Sequence, residues 1–304
     1  MNPPKSPRHL LLAVDGSEHA KAATQFIRDL PLPQDCQIRI ISVLIPRNAQ
    51  HYSLLKTVLE RTQAVLQEKL TNKIELELLT GYPAEEIATY ADNYHPDLIV
   101  LGARGLRSTL GILLGGVAQN VVEYASCPVL VVRAPYLGLR RVLLATDGSE
   151  NSENAIHYLK DCPLPDEVSK QVIHVIPPEI SPDAFGASWQ MNMELTAPIL
   201  TEQMQTQLQE NAIAEEESGQ DLLNKTIAKL KNLGVTATGC LRRGDAATEI
   251  LDYANENNID LIIVGSRGLS TFRGWLLGSV SRKLVHYANC SVLIVKKPTE
   301  RRSS

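Results

Sequence analysis

The 304-residue chain is 44% hydrophobic, 21% charged and 5% aromatic, with a formal net charge of −4 and a pI near 6.0. That composition excludes fibrous, disordered and disulfide-framed classes and leaves a globular chain long enough for two domains of about 150 residues. It also lacks the global basic field that a nucleic-acid partner requires.

The Pro-rich start, Met1 to Arg8, holds no apolar signal core, and no apolar run reaches bilayer-spanning length, so the expected location is the cytoplasm. From there, apolar runs and helical periodicity alternate. Strands are predicted near 9–14, 37–44, 73–79, 97–101 and 128–133, with helices near 17–29, 52–70, 83–94 and 116–125 between them. The helix near 52–70 shows the stripe Leu55, Val58, Leu59, Thr62, Val65 and Leu66, at spacings of three and four. After a short linker near 135–139 the same order returns, with strands predicted near 141–146, 169–176, 235–242, 260–264 and 291–295.

Sliding the chain against itself explains the return. At a shift of 132, Leu11-Leu12-Ala13-Val14-Asp15-Gly16-Ser17-Glu18 falls on Leu143-Leu144-Ala145-Thr146-Asp147-Gly148-Ser149-Glu150. At a shift of 163, Asp97-Leu98-Ile99-Val100 falls on Asp260-Leu261-Ile262-Ile263, Gly102-Ala103-Arg104-Gly105 falls on Gly265-Ser266-Arg267-Gly268, and Cys127 meets Cys290. The second repeat therefore carries 31 extra residues between its second and fourth strands, expected before the third, at about 177–217. The domains predicted are 8–135 and 140–297. Alternating strands and helices predict an α/β fold: two tandem doubly wound, mostly parallel, Rossmann-like sheets in strand order 3-2-1-4-5.

Five cysteines, Cys36, Cys127, Cys162, Cys240 and Cys290, form no metal-ligand spacing and read as structural thiols. The chemistry concentrates after the fourth strand of the second repeat, where Gly265-Ser266-Arg267-Gly268 is followed after nine residues by Gly278-Ser279 and a helix. Glycines admit a ligand close to the backbone, and free amides at a helix start favour an anion. Ser279 and Ser281 would add hydroxyls there. The other reading is that the glycines only make turns and cap helices. In a 3-2-1-4-5 sheet, strands one and four flank the ligand crevice. That sets Asp147 opposite the loop, to accept from ribose hydroxyls, to face a Mg²⁺ on phosphates, or to cap the first helix. Arg104 and Arg267, with Arg107 and Arg273 nearby, suit either a phosphate clamp or solvated loop charge.

These residues resemble the universal stress protein family, whose nucleotide pattern is Gly, two residues, Gly, nine residues, Gly, then Ser or Thr. Gly265, Gly268, Gly278 and Ser279 match it, and Gly244 to Ile250 resembles another family feature. The resemblance implies an adenine nucleotide, ATP, ADP or AMP. Asp147 would contact the ribose region and the backbone of Val175 would read the adenine edge. Val264 and Gly265 would line the nucleoside, and Gly268, Gly278, Ser279 and Val280 would hold the phosphates, with Thr146, Arg267 and Ser281 as further candidates at the site. The weaker counterparts in the first repeat are Val14, Asp15, Val43, Gly102, Arg104, Gly105, Gly115, Gly116 and Val117, where Gly116 and Ala118 replace the two serines. The resemblance also implies that the repeats pack through their last strands as an internal pseudo-dimer.

From Gln171 to Asn224 there is no Lys or Arg, and Trp189, Met191, Met193 and Met204 lie among acidic residues. This reads as a flexible acidic segment or as a lid or protein-docking surface. With no Walker lysine, no GxGxxG after a first strand and no general base beside the loop, the expectation is a nucleotide-gated regulator and not an enzyme. Slow ATP hydrolysis and a nucleotide-independent scaffold are the alternatives.

Overall fold

The computed structural model describes residues 7–46, 51–106, 113–179, 202–269 and 277–296. The first repeat runs β1 (His9–Ala13), α1 (Glu18–Asp29), β2 (Gln37–Leu44), α2 (Tyr52–Gln67), β3 (Ile74–Thr80), α3 (Pro83–Tyr94), β4 (Leu98–Gly102), α4 (Gly116–Tyr124) and β5 (Val129–Val132). The second runs β6 (Arg141–Thr146), α5 (Glu150–Asp161), β7 (Ser169–Ile176), α6 (Glu202–Asn232), β8 (Thr238–Arg243), α7 (Ala246–Glu256), β9 (Leu261–Gly265), α8 (Ser279–Tyr287) and β10 (Ser291–Val295).

Local chemistry starts each helix where it does. Ser17 caps α1 by accepting from the Ala20 amide at 3.2 Å, and Ser149 caps α5 by accepting from the Ser152 amide at 3.2 Å. Pro83 opens α3, where the missing N–H would have no intrahelical partner in any case. Asp245 caps α7 through the Thr248 amide at 3.0 Å.

Within each repeat the strands pair in parallel in the order 3-2-1-4-5, and the two halves join into one ten-stranded sheet, β3-β2-β1-β4-β5-β10-β9-β6-β7-β8. The joint is antiparallel: Val131 pairs with Val292, Leu130 with Leu293 and Val129 with Ile294. Leu130 and Leu293 occupy the same position in the 163-residue register, so a pseudo-twofold axis passes through that pair. Joining also pairs two strands that would otherwise be free edges.

Two buried apolar layers cover the sheet. One lies beneath α1, α2, α5 and α6 and includes Leu10, Leu12, Phe26, Leu144, Ile156 and Leu230. The other lies beneath α3, α4, α7 and α8 and includes Leu11, Ile99, Val121, Leu143, Ile262 and Leu284. The central strands are buried on both faces, which is why β5 and β10 read as unbroken apolar runs.

The added length takes form before β8, where one strand boundary also shifts. Residues 202–217, expected within an added segment, belong to α6, a continuous 31-residue crossover helix against 16 residues in α2. The extra length thus becomes helical turns, with the remainder at 180–201, including Trp189, Met191 and Met193, outside the described residues; Met204 falls in the first turn of α6. The strand expected from 235 begins at Thr238, because 233–235 serve the helix exit. Gly234 takes φ +82°, and the Val235 amide donates to the Leu230 carbonyl at 2.9 Å.

Candidate functional site

The crevice of each repeat lies where strand order reverses, at the carboxyl ends of β1 and β4 and of β6 and β9. In the first repeat Asp15 leaves β1 and turns on Gly16, which takes φ +85°. One Asp15 oxygen accepts from the Ser17 amide at 3.0 Å, and the other accepts from the Leu106 amide at 2.9 Å, across the crevice in the glycine loop. The Ser17 hydroxyl donates to the Arg104 carbonyl at 3.1 Å. The aspartate therefore clasps the loop. Asp147 repeats the arrangement, accepting from the Ser149 amide at 3.0 Å while its other oxygen would lie 2.5 Å from any Cβ on Gly268. The helix cap is Ser149 and not Asp147.

Space accounts for the glycines one by one. A Cβ on Gly102 would stand 2.6 Å from the His19 backbone, and one on Gly265 would stand 2.6 Å from the Asn151 carbonyl oxygen, so these two let α1 and α5 pack on the ends of β4 and β9. Gly105 and Gly268 make room for the aspartates. Gly115 and Gly278 close the loop through amides donated to Ala103 at 2.8 Å and Ser266 at 2.9 Å. They cap α4 and α8 without any side-chain cap bond, leaving the first-turn amides free of an intrahelical partner, and the start of α4 lines a cavity. Beside Gly116 a Cβ would meet nothing within 4 Å.

In the first repeat these elements enclose a cavity of about 590 Å³, within the usual size range of small-molecule sites. Val43, Ile45, Leu54, Leu55 and Ile87 form apolar walls at one end, and Asp15, Gly105, Gly116 and Val117 line the other. In the second repeat Val175 is the penultimate residue of β7, beside Arg242, Val264 is buried near the end of β9, and Val280 packs on the core beneath α8. Val58 lies over Gly16 as Leu222 lies over Gly148, which puts Leu55 and Gly219 at equivalent positions of α2 and α6. A Cβ on Gly219 would stand 2.6 Å from Ile176, so this glycine lets α6 sit low on β7.

Three of the expected site residues have side-chain partners within the fold. Ser281 is 3% exposed and donates its hydroxyl to the Gly265 carbonyl at 2.7 Å, so it serves the loop's fold and not a phosphate. The Thr146 hydroxyl is likewise buried, 3.2 Å from Ser152 Oγ. Arg104 donates Nε to His19 Nε2 at 2.9 Å; burial and this guanidinium hold the His19 pKa below its ordinary value. At the His19 position the second repeat has Asn151, 3.4 Å from Ser266 Oγ. Arg107 and Arg273 lie outside the described residues.

Sequence reasoning missed His19, the Leu54–Leu55 wall, and two cations at the repeat joint, Arg133 and Lys296. Residue type gave no signal for them, since each depends on which neighbour the fold supplies. Burial pushes the thiols of Cys36, Cys127, Cys162 and Cys290 up to about 12, which suits structural residues. Among the described residues no three His, Cys, Asp or Glu side chains gather as a metal site, and no helix is long and apolar enough to cross a membrane.

Comparison with known proteins places this geometry. The family model described as the universal stress protein family matches twice, over 7–133 and 138–296. A universal stress protein of Mycolicibacterium smegmatis is 26% identical over 320 residues, covering 94% of this chain and 96% of its own. One from Thermus aquaticus is 35% identical over 133 residues, covering 41% of this chain and 97% of its own. The crystal structure of a universal stress protein from Archaeoglobus fulgidus shares the fold at a TM-score of 0.61 and 21% identity, over 95% of this chain and 98% of that one.

Proposed function

The chain belongs to the universal stress protein family, and from that premise we propose that it is an adenine-nucleotide-binding regulator. ATP, ADP or AMP occupies the crevices, most tightly in the second repeat, and a protein partner reads the resulting change in the loops. The observation that carries this reading is the pairing, in both repeats, of an aspartate set against the glycine loop with a helix N-terminus that has no side-chain cap bond. Base and ribose fit the apolar end of the crevice, and phosphates fit the first-turn amides of α4 and α8.

At the helix start that faces the phosphates, one hydroxyl separates the two sites. Ser281 and Ala118 are both buried beneath the loops, so the difference at the phosphate end reduces to Ser279 against Gly116. One charge-assisted hydrogen bond is worth about 1–3 kcal/mol, which sets the expected advantage of the second repeat. Any Mg²⁺ would arrive with the phosphates. Both Asp15 oxygens are engaged by amides, of Ser17 and Leu106, and one Asp147 oxygen by the Ser149 amide.

Denaturing the protein as purified and analysing what is released tests the proposal. Adenine nucleotide in the supernatant supports it. Finding none, with none taken up on titration, contradicts it.

A further inference from the structure

Arg133 and Lys296 each follow the last strand of a repeat and share one position in the 163-residue register. Because β5 and β10 run antiparallel about the Leu130–Leu293 pair, each cation is carried past the start of the other repeat's last strand. There it meets the end of the helix that precedes that strand. Arg133 donates Nη2 to the Val285 and His286 carbonyls at 2.8 and 2.9 Å, at the C-terminus of α8. Lys296 donates Nζ to the Glu123 carbonyl at 3.2 Å and to the Ala125 carbonyl at 2.5 Å, at the C-terminus of α4. An ion pair between Glu123 and Arg282, at 3.8 Å, crosses the same seam.

These carbonyls are among the groups that a helix cannot satisfy internally, and a cation there complements the negative end of the helix dipole. The two helices are also the ones whose opposite ends, Gly115-Gly116 and Gly278-Ser279, form the phosphate end of each crevice. A helix of nine residues is about 14 Å long and moves nearly as a rod, so a shift at its C-terminus appears at its N-terminus. Arg133 adds a contact in its own repeat, donating Nη1 to the Leu113 carbonyl just before Gly115.

We propose that Arg133 and Lys296 are positioning residues that act across the seam, Lys296 of the second repeat setting α4 for the first site and Arg133 of the first repeat setting α8 for the second. Each nucleotide site is then completed by the neighbouring domain. The inference rests on the nucleotide reading above, and it adds a crossed dependence that a merely local structural role would not produce.

The test uses full-length chains with one crevice obstructed, Gly278→Val to leave the first site and Gly115→Val to leave the second, titrated with AMP in a calorimeter. Lys296→Met is expected to weaken AMP binding about five- to tenfold at the first site and to leave the second within about twofold, with Lys296→Arg restoring it. Loss confined to the second site, where Lys296 itself resides, or no loss at either, would overturn the proposal. Should the methionine variant unfold, Lys296→Gln gives the same comparison with an uncharged donor. If AMP fails to bind with Lys296 intact, the nucleotide reading itself is contradicted and the crossed dependence falls with it.

Discussion

The buried hydroxyl of Ser281 donates to the carbonyl of Gly265 at 2.7 Å, joining the first turn of α8 to the last residue of β9. A serine that lies in the helix opening of the phosphate loop thus belongs to the scaffold. Ser281→Ala should lower unfolding free energy by about 1–2 kcal/mol, since a buried carbonyl loses its partner. It should change nucleotide affinity far less than Ser279→Ala does. Urea unfolding and calorimetry on both variants check this, and equal losses of affinity would contradict it.

Gly116 is where the first repeat departs from the second, and open space surrounds the position of its missing Cβ. Gly116→Ser should therefore be accepted at the start of α4 with a stability change within about 0.5 kcal/mol. Adding a hydroxyl to the phosphate end should tighten nucleotide binding at the first site by about 1–3 kcal/mol. Titration of Gly116→Ser in the Gly278→Val background reads this directly, and unchanged affinity would show that the hydroxyl is not what distinguishes the sites.

Gly219 lies in the middle of α6, where glycine disfavours a helix by about 1 kcal/mol relative to alanine. Its place is explained by contact, because a Cβ there would come within 2.6 Å of Ile176 and 3.1 Å of Leu241. Gly219→Val should destabilise the chain by about 1–3 kcal/mol through overpacking, despite the propensity gain. A rise in melting temperature would contradict the low seat of α6 on β7.

Lys296 gives a pH signature. Burial pushes its pKa down to about 8 from the ordinary 10.5, with Arg267 adding to the depression while Cys127 and Glu123 oppose it. Below pH 8 the folded chain holds a desolvated ammonium, at a cost of about 3 kcal/mol. Between pH 8 and 10.5 the unfolded chain binds the extra proton, so this contribution makes stability rise with pH. The unfolding free energy of wild type minus that of Lys296→Met should therefore increase by about 3 kcal/mol from pH 7 to 10.5. Parallel stability profiles for the two proteins would contradict it. Thiols such as Cys162, pushed up to about 12, lower stability at high pH in both proteins and cancel in the difference.

Much of the architecture was legible in the sequence because each half repeats the other. Two registers, 132 and 163, located strands, glycine loops and the added length before any local propensity was weighed. Buried runs such as Val129–Val132 read as central strands, whereas the helix cap offered to Asp147 belongs to Ser149. What was not legible turned on direction and neighbours. The spacing gave Ser279 and Ser281 the same promise, yet a two-residue step along a helix turns one side chain under the loop. Arg104 read as a loop cation, and only the folded position of His19 draws it aside. Acidic composition from Gln171 to Asn224 suggested a flexible segment or a docking surface, whereas from residue 202 onward the chain is a crossover helix that packs on β7 and β8.

The central claim, that the glycine loop of the second repeat holds nucleotide phosphates, is tested most directly by calorimetric titration of ATP, ADP and AMP into wild type and Gly278→Val. A Cβ at Gly278 would already sit 3.2 Å from the Arg267 Cα and 3.4 Å from the Ser266 carbonyl oxygen, so valine methyls would crowd the phosphate end. Saturable binding in wild type, with its tighter phase lost in the variant, is the predicted result. Wild type that binds none of the three after unfolding, stripping and refolding, or a variant that binds as wild type does, would contradict it.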